Sequence, residues 1–77
     1  MAQASRVVWL DIQSWQETWA ELDQAQELRP IEMVSHGYII TDEDSHIVLA
    51  GTASSDWACF GDLNAIPRGC IVSITSA

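Results

Sequence analysis

The residues VSHGYIITDEDSHIVLAGT, at positions 34–52, decide the fold of this chain. On both sides of the acidic segment 42–45, apolar and polar side chains alternate, and β-branched and aromatic residues are frequent. Alternation with a period of two is typical of a strand with one buried face, so the stretch predicts a β-hairpin with a loop over 42–45. The register expected for this hairpin pairs Thr41 with His46, Tyr38 with Leu49 and His36 with Gly51.

Further strands are predicted on either side of the hairpin. Residues 6–12 (RVVWLDI) are apolar on both faces, which favours a central or covered strand. After the hairpin, residues 57–60 (WACF) predict a short fourth strand, and the Pro-Arg-Gly sequence at 67–69 predicts a turn. The last strand is expected at 70–75 (CIVSIT), and the residues expected on one of its faces are Cys70, Val72 and Ile74.

One helix is predicted between the first strand and the hairpin. Residues 14–17 fit the capping box S-x-x-E, in which two side chains satisfy backbone N–H groups at the start of a helix. Trp15, Trp19 and Leu22 follow at helical spacing, with acidic and amide side chains between them. We therefore expect one amphipathic helix over residues 15–28.

The expected element order is β-α-β-β-β-β within one small domain, residues 1–77. Antiparallel strands with a single early helix indicate an α+β fold. The strands are short and closely spaced, which favours a small curled antiparallel sheet or a small barrel, with the helix over one face or end.

The composition limits the class of protein. With 48% apolar and 18% charged residues, the chain is too apolar for a disordered tail. Eleven acidic residues against three arginines and no lysine give a net charge of -8, which disfavours nucleic acid and anionic membranes as partners. No apolar run approaches the roughly 20 residues of a membrane span, and the N-terminus lacks a signal pattern. We therefore expect a cytoplasmic protein in which Cys59 and Cys70 are reduced thiols.

The small size predicts self-association. A domain of 77 residues buries only about 60% of the surface of its unfolded chain, so its stability is marginal. Four tryptophans partly compensate, and oligomerisation is the other common remedy. We expect a homo-oligomer in which at least one aromatic side chain faces a partner, a pocket or an assembly surface.

Two motifs in residues 33–77 point to a known architecture. Their residues are Gly37, Asp42, His46 and Leu49 in the first motif and 66–74 (IPRGCIVSI) in the second. This part of the chain resembles Sm-like proteins, which are small five-stranded barrels that assemble into rings. The resemblance implies an SH3/Sm-like barrel and a ring or a dimer. His46 stands where that family has a base-contacting asparagine, which together with the acidic charge argues against RNA binding.

Four residues are candidates for binding a ligand or a partner, namely Trp15, Trp19, Tyr38 and Arg68. The two tryptophans either pack on the sheet or stack on a planar ligand. Arg68 either contacts an anion or pairs with Asp62 or another acid near its turn. The acidic side chains Glu17, Glu21 and Glu27 either imitate the charge of a nucleic acid on a basic partner or only keep the protein soluble.

Neither catalysis nor a metal site is expected. Asp42, Asp44 and His46 could ligate a cation, but the EF-hand pattern is absent and a solvated hairpin tip explains them more simply. Either cysteine could form a nucleophile–base pair with His36, yet no third orienting group is visible. Ser54 and Ser55 lack the glycines of a nucleophile elbow. We expect no enzyme activity and no cofactor.

The chain is also similar in style to short uncharacterised proteins encoded by phages, through its Trp-rich start, its Gly-aromatic-Ile hairpin and its Ile-Pro-Arg-Gly close. This resemblance implies a viral protein that acts in the host cytoplasm. The expected function is that of a non-enzymatic binding protein or inhibitor, engaging a host protein as a small acidic oligomer. The alternative is a protein that sequesters a small nucleotide-like or anionic ligand in pockets at subunit interfaces.

Overall fold

The computed structural model describes residues 3–77, which form one five-stranded antiparallel sheet and a short helix. The elements in chain order are β1 (Ala4–Asp11), α1 (Leu22–Glu27), β2 (Ile31–Asp42), β3 (His46–Ala53), β4 (Phe60–Pro67), a 3₁₀ turn (Arg68–Cys70) and β5 (Ile71–Ser76). The strands lie in the order β4-β3-β2-β1-β5. The predicted α+β class and the predicted order of elements are confirmed.

The sheet curls but does not close. Val7 of β1, Leu49 of β3 and Ile66 of β4 belong to one buried cluster, although β1 and β4 are separated by two strands. Side chains from strands so far apart can meet only if the sheet bends over them. β4 and β5 are its free edges, and they do not pair with each other within residues 3–77. The structure therefore agrees with the predicted curled antiparallel sheet.

The buried cluster follows from the alternation of side chains along the strands. Val7 and Ile47 are fully buried at its centre. The partly buried side chains around the cluster are Trp9, Ile39, Cys70, Ile71 and Ile74. Val72, predicted to share a face with Cys70 and Ile74, is exposed instead. A bulge between Val8 and Trp9 shifts the β1–β5 register, so that Ile71 takes the inward place.

β2 pairs with two strands in succession. Residues 31–38 pair with β1, and residues 38–42 pair with β3. Gly37 is buried where the two partners meet, and a Cβ atom built there would lie 2.4 Å from the carbonyl oxygen of Ala50. A glycine at this position is therefore what allows β3 to approach β2 so closely.

The helix is much shorter than predicted, since α1 covers Leu22–Glu27 instead of 15–28. None of its residues is buried, so tertiary packing does not extend it beyond the segment with the better helix formers. Its first turn is closed by Glu21 and Gln24, because the Glu21 N–H donates to Gln24 Oε1 at 3.0 Å. The predicted capping box at 14–17 lies outside the helix.

The hairpin register is also different from the prediction. The observed pairs are Tyr38–Ala50, Ile39–Leu49, Thr41–Val48 and Asp42–Ile47. A bulge between Ile39 and Thr41 adds one residue to β2, so the predicted pairs Tyr38–Leu49 and Thr41–His46 are wrong. The turn is correspondingly tighter, and the Glu43 N–H donates to the His46 carbonyl oxygen at 2.9 Å.

β4 begins where the predicted fourth strand ends. Residues 57–59 belong to a turn, and the pairing with β3 runs from Phe60 to Pro67. Gly61, Asn64 and Pro67 are typical of turns, but an edge strand accepts them because one side of its backbone has no partner strand.

Residues 12–30, here called the arm, leave the sheet at one end. Asp11 and Ile31 are the last pair between β1 and β2, so the two ends of the arm lie side by side. The molecule measures 52 × 21 × 21 Å and its radius of gyration is 15.8 Å. A compact domain of this length has a radius of gyration of about 11–12 Å. The arm therefore projects from the sheet, and α1 packs against no strand extensively.

Candidate functional site

The arm carries the most exposed large apolar side chains of residues 3–77. Ile12 is 82% exposed, Trp19 is 85% exposed and Leu22 is 74% exposed. Trp15 is better covered, and its Nε1 donates to the Trp19 carbonyl oxygen at 3.0 Å. A hollow of about 260 Å³ beside Trp15 is lined by arm residues alone. The two tryptophans predicted as binding residues thus lie together on the arm, and Trp19 does not pack on the sheet.

The predicted acidic residues Glu17, Glu21 and Glu27 lie on the arm and are exposed. They form no ion pair within residues 3–77, where Arg68 pairs with Asp42 and the His46 ring lies 3.7 Å from the Glu43 carboxylate. With Asp23 and Arg29, the arm has four carboxylates and one guanidinium group, which gives it a net charge of -3. Exposed apolar side chains and uncompensated negative charge therefore occur together on the arm.

Tyr38 lies away from the arm, in an aromatic cluster on the other face of the sheet from the core. Its neighbour Ile39 packs against the core, so the Tyr38 side chain points to the opposite face. The rings of Tyr38 and Trp57 are 5.0 Å apart and edge-to-face, and those of Trp57 and Phe60 are 6.1 Å apart. Ala50, which pairs with Tyr38, is fully buried on this face. The cluster thus forms a second, smaller apolar centre.

A turn organised by Ser54 holds Trp57 in this cluster. The Ser54 hydroxyl oxygen accepts hydrogen bonds from the N–H groups of Ala58 and Cys59 at 3.2 and 2.9 Å. The same hydroxyl donates to the Asp56 carboxylate at 2.7 Å. Trp57 has a φ of 62°, which is uncommon for a bulky residue, and its N–H donates to the Ser54 carbonyl oxygen at 2.9 Å. These bonds fix the strained backbone that points the indole at Tyr38.

The hydrogen bond from Ser54 is also the main reason why the pKa of Asp56 lies below its ordinary value. The Ala58 N–H, which donates to the same carboxylate at 3.1 Å, lowers this pKa further. Because the pKa is lower in the folded state, the turn is most stable above the ordinary carboxyl range, about pH 4. This contribution to stability is lost as the pH falls through the folded-state pKa of Asp56.

We expect Ser54→Ala to move the pKa of Asp56 back towards its ordinary value. The free energy of unfolding should fall by about 1 kcal/mol, because the Cys59 N–H loses its acceptor and the Ala58 N–H keeps only the Asp56 carboxylate. Carboxyl NMR titration measures the pKa, and urea unfolding near neutral pH measures the stability. Ser55→Ala is the matched control, because Ser54 and not its neighbour makes the hydrogen bonds of the turn. An unchanged Asp56 pKa in Ser54→Ala would contradict this role.

Arg68 forms an ion pair with Asp42. One alternative expected from the sequence was a pair with Asp62 or another acid, and the acid is not Asp62. Its guanidinium group also donates to the Glu43 carbonyl oxygen at 2.8 Å, and its backbone N–H donates to the Ser45 carbonyl oxygen at 2.9 Å. The 3₁₀ turn is thereby attached to the β2–β3 turn. The charge of Arg68 is balanced within the chain, by a residue outside the arm.

The candidates for catalysis and metal binding are dispersed over the fold. Cys59 is exposed in the β3–β4 turn, Cys70 is half-buried against the core, and both are free thiols. His36 shares the face of Tyr38, so Cys70 and His36 lie on opposite sides of the sheet. Within residues 3–77, no group of three or more His, Cys, Asp and Glu side chains is placed to hold a metal ion.

An apolar groove of about 370 Å³ opens at the end of the sheet from which the arm leaves. The end of β1, residues 9–11, and the first arm residue, Ile12, form one wall. The end of β4, residues 64–67, forms the other, and Cys70 also lines the groove. Trp9 is held in the wall of the groove by a hydrogen bond, in which the indole Nε1 donates to Ser35 Oγ at 3.0 Å. The sequence did not indicate this groove, because its walls are far apart along the chain and meet only through the curl of the sheet.

No protein-family model, no curated protein and no solved structure matches this chain. No helix within residues 3–77 has the length and the apolar character needed to cross a membrane. The arm, the aromatic cluster and the groove are therefore the features from which a function can be inferred.

Proposed function

We propose that this chain is a non-enzymatic binding protein of phage or mobile-element type, which engages a host protein in the cytoplasm as a small acidic homo-oligomer. The observation that carries the proposal is the arm. Its tryptophan and leucine side chains are exposed, and its carboxylates have no ion-pair partner within residues 3–77. Aromatic anchors beside polar and charged groups are the usual composition of a protein interface.

The host partner inferred from the carboxylates of the arm has a basic surface. The arm holds -3 of the net charge of -8, and the rest of the molecule adds a field of the same sign. Such a field speeds the approach of a cationic surface and aligns it before contact. An acidic arm that occupies a nucleic-acid-binding or other basic surface would inhibit the host protein by blocking it.

Self-association strengthens this activity in two ways. A core of so few buried residues is stabilised when subunits cover each other's apolar surface. An oligomer also presents more than one arm, so a partner with repeated basic sites is bound with higher avidity than a single arm provides.

Charge reversal on the arm tests the proposal. We expect the double variant Glu21→Arg, Glu27→Arg to lose the host partner with at least a tenfold fall in affinity, because two attractive contacts with a basic surface become repulsive. The tagged protein is used to capture partners from host lysate, and the affinity of each purified partner is then measured by calorimetry.

The control for charge reversal has the same change in net charge outside the arm. Glu32→Arg, Asp44→Arg alters β2 and the β2–β3 turn, where both side chains are exposed. A partner that is retained by this control and lost by the arm variant supports the proposal. Equal binding by the arm variant and the natural protein contradicts it.

A second candidate function is sequestration of a small nucleotide-like anion at a subunit interface. Arg6 and His36 are direct partners in the β1–β2 pair, and they share the face that carries Tyr38 and Trp57. A guanidinium group and an imidazole ring beside aromatic rings suit a planar anion, which the guanidinium attracts and the imidazole contacts by hydrogen bonding or stacking. Native mass spectrometry of protein purified gently from cells tests this alternative. A retained small-molecule mass supports it, and a bare protein that binds no added nucleotide contradicts it.

A further inference from the structure

The chemistry of the groove where the arm leaves the sheet limits what could bind there. Its walls are mostly apolar, and Asp11 is its only charged lining residue. It therefore suits an uncharged apolar insert and offers nothing to an ionic ligand. Its volume of about 370 Å³ exceeds that of a tryptophan side chain.

The arm carries exposed apolar side chains that suit an apolar groove. Trp19 and Leu22 lie almost fully in solvent, close together in sequence. Ile12 stands at the rim of the groove and is equally exposed. The arm begins at this rim and projects away from the sheet.

We infer that the arm of one copy of this chain docks in the groove of a second copy, and that the exchange is reciprocal about a twofold axis. Trp19 and Leu22 would enter the groove of the second copy, and the second copy's arm would cover Ile12. A twofold arrangement satisfies both arms and both grooves with one kind of contact and leaves no open end.

A second copy of the chain is a better occupant of the groove than a host protein, because the exposed apolar surface must be buried before a host protein is met. Six apolar side chains are buried in the described chain, so the fold has little stability to spare. Exposed anchors and an empty apolar groove disfavour the isolated molecule before any host partner is met. A second copy is present whenever the first is made, and it offers the groove and the anchors in equal number.

The surface involved reaches the lower limit of area for a specific dimer. Full burial of Ile12, Trp19 and Leu22 removes on the order of 400 Å² of apolar surface per arm from water. Two arms contribute about 800 Å², and the small grooves that receive them bring the total to about 1,000 Å², the least that a specific protein interface buries. Arm exchange of this kind deepens the proposed function, because it names the contact that makes the oligomer while Glu17, Glu21 and Glu27 face a host partner.

Added salt should change the affinity of this dimer and that of the host complex in opposite directions. Two chains of net charge -8 repel each other, so added salt should strengthen self-association by screening. Binding of an acidic arm to a basic surface should instead weaken with salt. The sign of the salt effect therefore separates the two interfaces.

Sedimentation velocity tests the dimer directly. We expect the natural protein to be a dimer at micromolar concentration, with a dissociation constant that falls about threefold or more between low and high salt. Trp19→Ala should raise the dissociation constant at least tenfold, because it removes the main anchor. The control is Val72→Ala, an exposed apolar residue of β5 outside the groove and the arm. A monomeric natural protein, or a dimer that Trp19→Ala leaves unchanged, would overturn the inference.

The free thiol of Cys70 offers a test of geometry, because it lines the groove. In a Cys59→Ser background, Ala20→Cys adds a thiol to the arm and keeps both anchors. We expect mild oxidation to give a dimer linked through Cys70, and Cys70→Ser should abolish that linkage. The matched control is Ala58→Cys, the same substitution in the exposed β3–β4 turn, which should stay unlinked.

An intrachain disulfide between position 20 and Cys70 in a monomer would show that the arm folds back onto its own groove, and it would overturn the inference. A twofold dimer whose arm acids can be reversed without loss of the host partner would leave the arm exchange intact and refute the proposed function. A natural protein that is monomeric, and that loses the host partner when the arm acids are reversed, would refute the arm exchange and support binding of the host through the arm.

Discussion

Replacing Gly37 by alanine is expected to lower the free energy of unfolding by about 3 kcal/mol or more. The added Cβ would lie 2.4 Å from the Ala50 carbonyl oxygen and 3.2 Å from Leu49 Cγ. The nearest of these atoms belongs to the backbone of β3, so it cannot turn away as a flexible side chain could. The two strands must separate where β2 passes from β1 to β3, which weakens their hydrogen bonds and opens the core beside Leu49.

Denaturant titration at fixed protein concentration measures this loss, because self-association would otherwise shift the apparent stability. Gly69→Ala is the matched control, since a Cβ at Gly69 in the 3₁₀ turn meets no atom within 4 Å. We expect it to change stability by less than about 1 kcal/mol. Equal stability of the Gly37 and Gly69 variants would mean that β2 and β3 are not as closely packed as the structure describes.

Truncation of Ile47 to alanine is expected to cost about 3 kcal/mol. Ile47 is fully buried on β3 at the centre of the core, and it pairs with Ile66 of β4. Removal of its outer carbons loses their transfer free energy and leaves a cavity that rigid neighbouring strands fill only partly. So small a core has few other contacts with which to compensate.

The control for Ile47 is Leu63→Ala in the adjacent strand β4. Leu63 is more than half exposed, so its truncation should cost less than about 1 kcal/mol. Both variants are compared with the natural protein by urea unfolding, followed by far-UV circular dichroism. A small loss in Ile47→Ala, similar to that in Leu63→Ala, would contradict the placement of the core.

Four of the five strands were predictable from the sequence, but the position of β4 and the exact pairing of the strands were not. The alternation around the β2–β3 turn is a local signal that identifies both strands without knowledge of the rest of the fold. The bulge at Ile39–Thr41 has no such signal, because it depends on how β2 divides its pairing between two neighbours. One added residue is enough to change every pair beyond it.

The helix prediction was wrong in extent because the periodic pattern of Trp15, Trp19 and Leu22 also suits an exposed segment. Such a pattern produces a long helix only where a surface is available to bury the apolar stripe. Here no residue of the helix is buried against the sheet of its own chain, so the helix is limited to Leu22–Glu27. The acidic residues of the arm are exposed.

Other parts of the candidate site depend on contacts between distant residues. The Asp42–Arg68 ion pair joins two turns, and the groove joins the ends of β1 and β4. The position of Trp57 depends on a left-handed backbone that bulky residues rarely adopt. The Ser-Ser-Asp sequence at 54–56 was the available signal, since such side chains often bond to a nearby turn backbone.

The paired ends of the arm also make the fold divisible into a scaffold and an insert. Asp11 and Ile31 are neighbours in the sheet, so a connecting segment of almost any length or composition can join them at little entropic cost. No buried core residue lies between them. The sequence of the arm can therefore change during evolution, and the choice of partner with it, while the packing of the strands stays the same.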